Sequence, residues 1–148
     1  MGEIGEEMHQ ILMECHIAYV CTSDAKNTPH VTPVFYLYDP FKKLIYFVSS
    51  ERTKKIKNLK ENPKVSLTVD IRDPNNPFRN RGVMVRGLAE VLMFELSDEF
   101  LKTFYLKFKH KYISVIEIET EKLEEVLVRI KPQSISFWHG SRFKVVRL

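Results

Sequence analysis

The feature that most limits the possible folds is a series of short β-prone segments separated by turn residues. Segments 17–22 (IAYVCT), 30–38 (HVTPVFYLY) and 43–48 (KLIYFV) are rich in β-branched and aromatic residues, and the dipeptide at 39–40 ends the second one. Their short connections predict three consecutive antiparallel strands. Further segments of the same character lie at 64–71, 82–93, 126–130, 134–138 and 142–146.

Helical segments are fewer than strand segments. Apolar residues recur at helical spacing in residues 3–16, which predicts an amphipathic helix. A second helix is predicted from about residue 52 to residue 60 and ends before Pro63. A third is predicted over 97–109, with a serine at its N-cap and two acidic residues in its first turn. Residues 110–124 fit a strand as well as a helix.

Glycine and proline indicate where the strands bend or end. Gly87 interrupts segment 82–93 and indicates a β-bulge or a barrel corner. Pro132 and Gly140 separate the last three segments, which predicts three closing strands. Seven or eight antiparallel strands with two or three helices most naturally close into a barrel, because closure removes exposed strand edges. We therefore predict a mainly β fold, a β-barrel with flanking helices, forming a single domain over residues 1–148.

Composition favours a protein of the reducing cytoplasm. The two cysteines, Cys15 and Cys21, have no metal-ligand partner at useful spacing, and the acidic opening MGEIGEEMHQ lacks the apolar region of a signal peptide. No apolar run approaches the roughly 20 residues of a membrane-spanning helix. The five histidines show no metal-site spacing either. We expect a cytoplasmic protein with free thiols, no bound metal and no membrane partner.

Basic residues concentrate in one segment of the chain. The net charge is +4, and residues 52–64 (RTKKIKNLKENPK) are strongly basic, while residues 117–125 are mostly acidic. Such a cluster suits a small phosphorylated ligand as well as a nucleic acid. Lysines among the aromatic residues of segment 100–111 also fit nucleic-acid binding, but no DNA- or RNA-binding motif accompanies them. A small molecule is therefore the preferred partner, and nucleic acid ranks below it.

The strongest candidate for a binding site lies at residues 49–55 (SSERTKK), where a strand passes into a helix. A helix N-terminus presents unpaired N–H groups and a positive dipole end, so anions bind there. The hydroxyls of Ser49 and Thr53 add hydrogen-bond donors, and Lys54 and Lys55 add positive charge. A Ser-capped surface helix with solvated lysines explains the same residues and is the more common case when no context is given.

Four segments resemble the pyridoxamine 5'-phosphate oxidase family. Residues 46–67 (YFVSSERTKKIKNLKENPKVSL) are similar to its flavin-phosphate segment, in which a strand and a hydroxyl residue precede a Ser-Arg-Lys-type triplet. Residues 32–35 (TPVF) resemble the strand along the flavin ring, and residues 81–87 (RGVMVRG) resemble the following barrel strand. Residues 137–140 (FWHG) are similar to the family's Phe-Trp-Gln-Gly. Their common order over most of the chain makes the resemblance fairly specific.

The resemblance implies an FMN-binding split barrel that works as a homodimer with two FMN molecules at its interface. It also implies a small-molecule substrate that exchanges electrons with the flavin, whereas it assigns no catalytic acid or base. The cofactor-binding residues it implies are Thr32, Pro33, Val34 and Phe35 along the isoalloxazine ring, Val48, Ser49, Thr53, Lys54 and Lys55 at the 5'-phosphate, and Trp138 and Arg142 reaching the flavin of the partner subunit.

Departures from the family pattern point away from pyridoxamine phosphate as the substrate. Residues 142–147 (RFKVVR) lack the His and Asp of the substrate-binding block, and Gly82 stands where the family has a flavin-contacting Gln. Three hypotheses follow: an FMN-dependent oxidoreductase with another substrate, a deazaflavin-dependent reductase of the same fold, and a non-catalytic flavin-binding protein. The additional charge at Arg52 and Lys57 suits the longer, more anionic tail of a deazaflavin coenzyme.

Overall fold

The described part of the chain, residues 2–93, 99–112 and 125–148 of a computed structural model, contains seven strands, three α-helices and one short 3-10 helix. In chain order they are α1 (Glu6–Glu14), β1 (Ile17–Ser23), β2 (Pro29–Asp39), β3 (Leu44–Ser50), α2 (Lys54–Glu61), β4 (Lys64–Ile71), the 3-10 helix (Pro77–Arg79), β5 (Arg81–Met93), α3 (Glu99–Tyr112), β6 (Glu125–His139) and β7 (Arg142–Arg147). Among these helices, none has the length and apolar character needed to cross a membrane.

The strands form one antiparallel sheet that closes on itself. Its order is β3-β2-β1-β4-β5-β6-β7, and an additional pairing of β3 with β6 closes six of the strands into a barrel. Strand β7 pairs with the outer end of β6 and lies outside the closed ring. The predicted mainly β barrel with flanking helices is therefore confirmed.

The prediction of three closing strands after residue 125 is wrong. A single strand, β6, runs through Pro132 and is followed by β7 after the turn at Gly140. Pro132 lies opposite Gly87, where the register of β5 and β6 shifts, so the proline occupies an irregular point of the ladder. A Cβ at Gly87 would overlap the Lys131 carbonyl oxygen. The irregularity predicted at Gly87 is thus present, but its extra residue is Gln133 on β6, next to Pro132, and this bulge is the reason that β6 tolerates the proline.

The helices differ from their predictions mainly at the ends. Helix α1 begins later than residue 3, because Gly5 has an extended backbone and is its N-cap. The third helix is confirmed as Glu99–Tyr112, so residues 110–112 are helical. Its predicted N-cap, Ser97, and the ambiguous segment 113–124 lie outside the described residues.

The core fills the barrel interior and extends under two helices. Helix α1 buries Ile11 and Leu12 in it, and α2 buries Ile56. Burying a side chain of this size stabilises the fold by about 1.5–3 kcal/mol. A second, smaller cluster lies on the outer face of β3 and β6, where α3 packs. The fully buried strand residues of the main core include Ala18, Val20, Tyr36, Ile45, Phe47, Val69, Val83, Val85, Val128, Ile130 and Ile135.

Candidate functional site

Strands β2 and β3 separate along half of their length. The ladder between β2 and β3 begins at the pair Asp39–Leu44, next to the hairpin turn, and ends at the pair Tyr36–Phe47. Before Tyr36, β2 pairs only with β1, and after Phe47, β3 pairs only with β6. The barrel wall is therefore split between residues 32–35 and 48–50, and each strand edge facing the split has no ladder partner in the described structure. Such edges present N–H and C=O groups to a ligand.

The four predicted ring-lining residues lie on the β2 side of this split, but they face two directions. Val34 is buried in the core, and Thr32 points to the same interior face because side chains alternate along a strand. Pro33 and Phe35 point outward and are exposed. Pro33 suits this place because proline lacks an N–H and is tolerated where a strand has a neighbour on one side only.

The side chain of Thr32 provides a test of whether a polar ligand fits the split. Its hydroxyl oxygen is buried and has no hydrogen-bond partner in the described structure. Leaving such a group unsatisfied costs about 1–3 kcal/mol, so buried hydroxyls normally have a protein, water or ligand partner. The orphaned hydroxyl fits a polar cofactor bound in the split.

The predicted phosphate residues meet at the end of β3 and the start of α2. The hydroxyl oxygens of Ser49 and Thr53 lie 3.0 Å apart, and the Thr53 hydroxyl donates to the Ser50 carbonyl oxygen at 3.0 Å. Thr53 is the N-cap of α2, yet its side chain makes no capping hydrogen bond to the helix. The first-turn N–H groups of α2 thus lack the side-chain acceptor that an N-cap normally provides, as an anion site requires.

Charge at the start of α2 is mainly positive. The first turn holds no acidic residue. The nearby Glu51 carboxylate is bound by Lys60, at 2.8 Å. Lys54 is exposed, whereas Lys55 is half-buried, and burial lowers the pKa of Lys55. A bound anion would offset that desolvation, because an opposite charge nearby favours the protonated lysine.

Trp138 and Arg142 lie at the turn between β6 and β7, away from Ser49 and the start of α2 in the same chain. Trp138 pairs with Gly82 on β5, and a Cβ at Gly82 would overlap its indole ring. Ser49 pairs with Val126 near the other end of β6, so about 40 Å of strand separates the two places at roughly 3.3 Å per residue.

Sequence reasoning missed the polar contact that holds α2 on the barrel. The Asn58 side-chain amide donates to the Thr22 hydroxyl at 3.1 Å, and both residues are almost fully buried. In the sequence of the basic helix, no pattern distinguishes Asn58 from its exposed polar neighbours. It positions the N-terminus of α2 relative to β1 and thereby the anion site.

No metal centre accompanies the split in the part of the chain that the structure describes. Groups of three or more His, Cys, Asp or Glu that could hold a metal ion are absent from those residues. The chemistry available there is anion binding, hydroxyl and main-chain hydrogen bonding, and apolar contact.

An antiparallel barrel that is split beside an uncapped, basic helix start belongs to the split-barrel class of cofactor-binding folds. The chain matches the family described as "Pyridoxamine 5'-phosphate oxidase" over residues 4–139. This protein belongs to the pyridoxamine 5'-phosphate oxidase family. A comparison with curated proteins found no match.

Solved structures share the fold at modest sequence identity. An "F420 Reductase" is 26% identical, with a TM-score of 0.68 over 90% of this chain and 98% of that one. A FAD-binding protein from Mesorhizobium loti is 21% identical, with a TM-score of 0.71 over 91% and 94% of the two chains. A heme-binding protein from Mycobacterium smegmatis is 14% identical, with a TM-score of 0.80, and this chain covers 60% of its length. The last two likenesses concern the fold alone.

Proposed function

We propose that this protein binds FMN in the split between β2 and β3 and passes electrons between the flavin and a small molecule. The observation that carries the proposal is the junction of β3 and α2, where two paired hydroxyls, an uncapped helix start and a half-buried lysine lie together, as binding of a phosphate monoester requires. Hydrogen bonds to a charged group contribute about 1.5–3 kcal/mol each. Several of them would dominate cofactor affinity.

The chain's own residues have distinct tasks in this proposal. Ser49 and Thr53 turn their hydroxyl hydrogens to the phosphate, for which Thr53 gives up its hydrogen bond to the Ser50 carbonyl oxygen, and Lys54 and Lys55 balance its charge. Thr32 gains a partner for its buried hydroxyl, and main-chain groups of β2 meet the polar edge of the ring. A bound flavin supplies the redox chemistry, while the protein orients it and excludes water. We assign no residue as acid or base.

We further propose that the working unit is a homodimer. The outer face of β1 and β2 carries cross-strand apolar pairs, Ile17 with Phe35 and Tyr19 with Pro33. These side chains, with Val31 beside them, are exposed in the single chain. Contiguous apolar surface of this kind is typical of protein interfaces. A second copy covering this face would also explain how Trp138 and Arg142 act on a cofactor so far from them along their own chain.

A deazaflavin coenzyme is the second candidate cofactor. The likeness to an "F420 Reductase" at 26% identity favours it, since it extends over 98% of that chain. The exposed Arg52 and Lys57, beside the proposed phosphate site, provide charge for a longer anionic tail. The same split and the same helix start would bind either coenzyme.

One experiment separates these proposals. We would record the absorbance spectrum of the purified protein, identify any released chromophore by mass, and titrate apo-protein with FMN and with F420 separately. Micromolar or tighter binding of FMN supports the first proposal, and preferential binding of F420 supports the second. Binding of neither contradicts both. Stopped-flow reoxidation of the reduced complex by candidate acceptors then distinguishes an oxidoreductase from a non-catalytic flavin-binding protein.

A further inference from the structure

A second cavity lies between the β2–β3 hairpin and α3, on the outer face of the barrel. Its volume is about 400 Å³. Leu37 and Tyr46 from the two strands, Phe41 from the hairpin turn and Met13 from the end of α1 form apolar walls. Helix α3 contributes Lys111 to the same cavity. Cavities of this size and character commonly bind small molecules.

Lys111 is an unusual lining residue because its amine is placed among apolar and aromatic groups. Its ammonium donates to the Tyr36 carbonyl oxygen at 3.1 Å and lies 4.0 Å from the centre of the Tyr36 ring. Within the described residues, no carboxylate forms an ion pair with it. Asp39 lines the same cavity, but its carboxylate accepts hydrogen bonds from the Phe41 and Lys42 backbone at 2.9 and 3.1 Å. Among the residues that the structure describes, the amine thus lies against aromatic rings and pairs with no carboxylate.

These surroundings change the protonation of the amine. Burial lowers the pKa of Lys111 to about 8, while an ordinary lysine titrates near 10.4. A lysine desolvated in an apolar site is partly neutral near physiological pH, and the neutral amine is a nucleophile. The titratable groups around it are Lys107, His110 and Tyr112 on α3, Tyr36, Tyr38 and Asp39 on β2, Tyr46 on β3 and Cys15 after α1.

We propose that Lys111 is a covalent binding site for a small molecule that combines an aldehyde with an apolar ring. The neutral amine nitrogen attacks the carbonyl carbon to give a carbinolamine. One nitrogen proton passes to the carbonyl oxygen in that step; loss of water, with the hydroxyl leaving and the nitrogen giving up its remaining proton, then forms the C=N bond of an imine without oxidation or reduction. The ring occupies the apolar cavity. Lys107 and His110 line the same cavity, so an acidic group on the ligand would be attracted there. This site is independent of the flavin proposal.

Reductive trapping on the intact protein tests this site. Treatment with 4-carboxybenzaldehyde and sodium cyanoborohydride converts any imine into a stable secondary amine, which peptide mass spectrometry locates. We expect Lys111 to be modified roughly a hundredfold faster than the exposed lysines of the same molecule, because more of its amine is neutral near pH 7.5. Its labelling rate should rise as the pH increases through about 8. Equal labelling of Lys111 and exposed Lys57, or no labelling of Lys111, overturns the proposal.

Three variants identify the labelled lysine and serve as controls. Lys111→Arg keeps the positive charge and should lose the fast-labelled site, whereas persistence of fast labelling would place it elsewhere. Lys57→Arg is the matched control and should leave the rate at Lys111 unchanged. The double variant Thr53→Ala/Lys55→Ala impairs only the proposed phosphate site, so Lys111 should label in it as in the wild type. Failure of flavin binding and failure of imine formation are thereby observed separately.

Discussion

At the scale of single residues, the candidate cofactor site depends on two hydroxyls and one lysine. Thr53 lies at the start of α2 but directs its hydroxyl to Ser50 and Ser49, so it does not cap the helix. Lys55 is held half-buried beside it. A side chain that leaves helix N–H groups uncapped gives up part of the stability that an N-cap normally provides, about 1 kcal/mol. An anion bound there restores it.

Removal of these side chains should weaken cofactor binding without unfolding the barrel. The double variant Thr53→Ala/Lys55→Ala loses at least two hydrogen bonds to the phosphate, and at about 1.5–3 kcal/mol each we expect the FMN affinity to fall by roughly a hundredfold or more. Fluorescence titration measures the affinity, and circular dichroism checks the apo fold. Lys57→Ala, on the exposed side of the same helix, is the control. An affinity within twofold of wild type would show that the phosphate binds elsewhere.

At the scale of elements, long-range strand pairing decides the features that local sequence does not reveal. Strand β4 was predicted at 64–71, as observed, because its alternation is local. Ser49 and Thr53 are four residues apart in the chain, so the contact between their hydroxyls could also be predicted. The path of β6 through Pro132 depends on the bulge at Gln133, opposite Gly87 of β5, and the orphaned Thr32 hydroxyl depends on the split. Neither follows from neighbouring residues.

The bulge at Gly87 gives a prediction at this scale. Gly87→Ala should destabilise the barrel by about 1–3 kcal/mol, because the added methyl overlaps the Lys131 carbonyl oxygen and the strands must move apart. Gly5→Ala is the comparison variant: a Cβ there meets nothing within 4 Å, so it should lose only the advantage of glycine over alanine at an N-cap, up to about 1 kcal/mol. Urea unfolding of both variants measures the difference in the free energy of unfolding. Equal stability of the two would contradict the role of Gly87.

Helix α3 gives a second prediction through Tyr112, whose side chain is buried. Its hydroxyl accepts a hydrogen bond from the Tyr36 amide at 2.9 Å and lies 2.9 Å from the His16 carbonyl oxygen, where β1 begins. Tyr112→Phe leaves the Tyr36 amide unsatisfied, so we expect a loss of about 1–3 kcal/mol in thermal or urea unfolding. Tyr19→Phe, on the exposed outer face, should change stability by less than about 0.5 kcal/mol. A Tyr112→Phe protein as stable as wild type would show that the Tyr112 hydroxyl contributes nothing to the docking of α3.

At the scale of the whole molecule, the barrel exposes apolar side chains on one face and separates the proposed cofactor residues along β6. Val31 is 60% exposed and Tyr19 is 42% exposed. A specific interface buries about 800 Å² on each partner. The outer face of β1 and β2 is our candidate for that surface in the proposed homodimer.

Charge placed on this face should prevent dimer formation. Val31→Asp would bury a carboxylate in the interface, so we expect monomers in sedimentation equilibrium at concentrations where the wild type is dimeric, together with weaker FMN binding. Phe41→Asp, at the exposed tip of the β2–β3 hairpin, should leave the dimer intact. A wild-type protein that is monomeric at all concentrations tested, or a dimeric Val31→Asp variant, would reject the interface.

The split between β2 and β3 has a consequence for how this fold changes during evolution. The unpaired strand edges there present main-chain groups, and every residue except proline carries the same N–H and C=O whatever its side chain. If a ligand binds there as proposed, mutation of the strands would leave its main-chain hydrogen bonds in place while side chains on the outward face vary. A scaffold with this property can exchange one ligand for another through a few substitutions, without passing through a form that binds nothing.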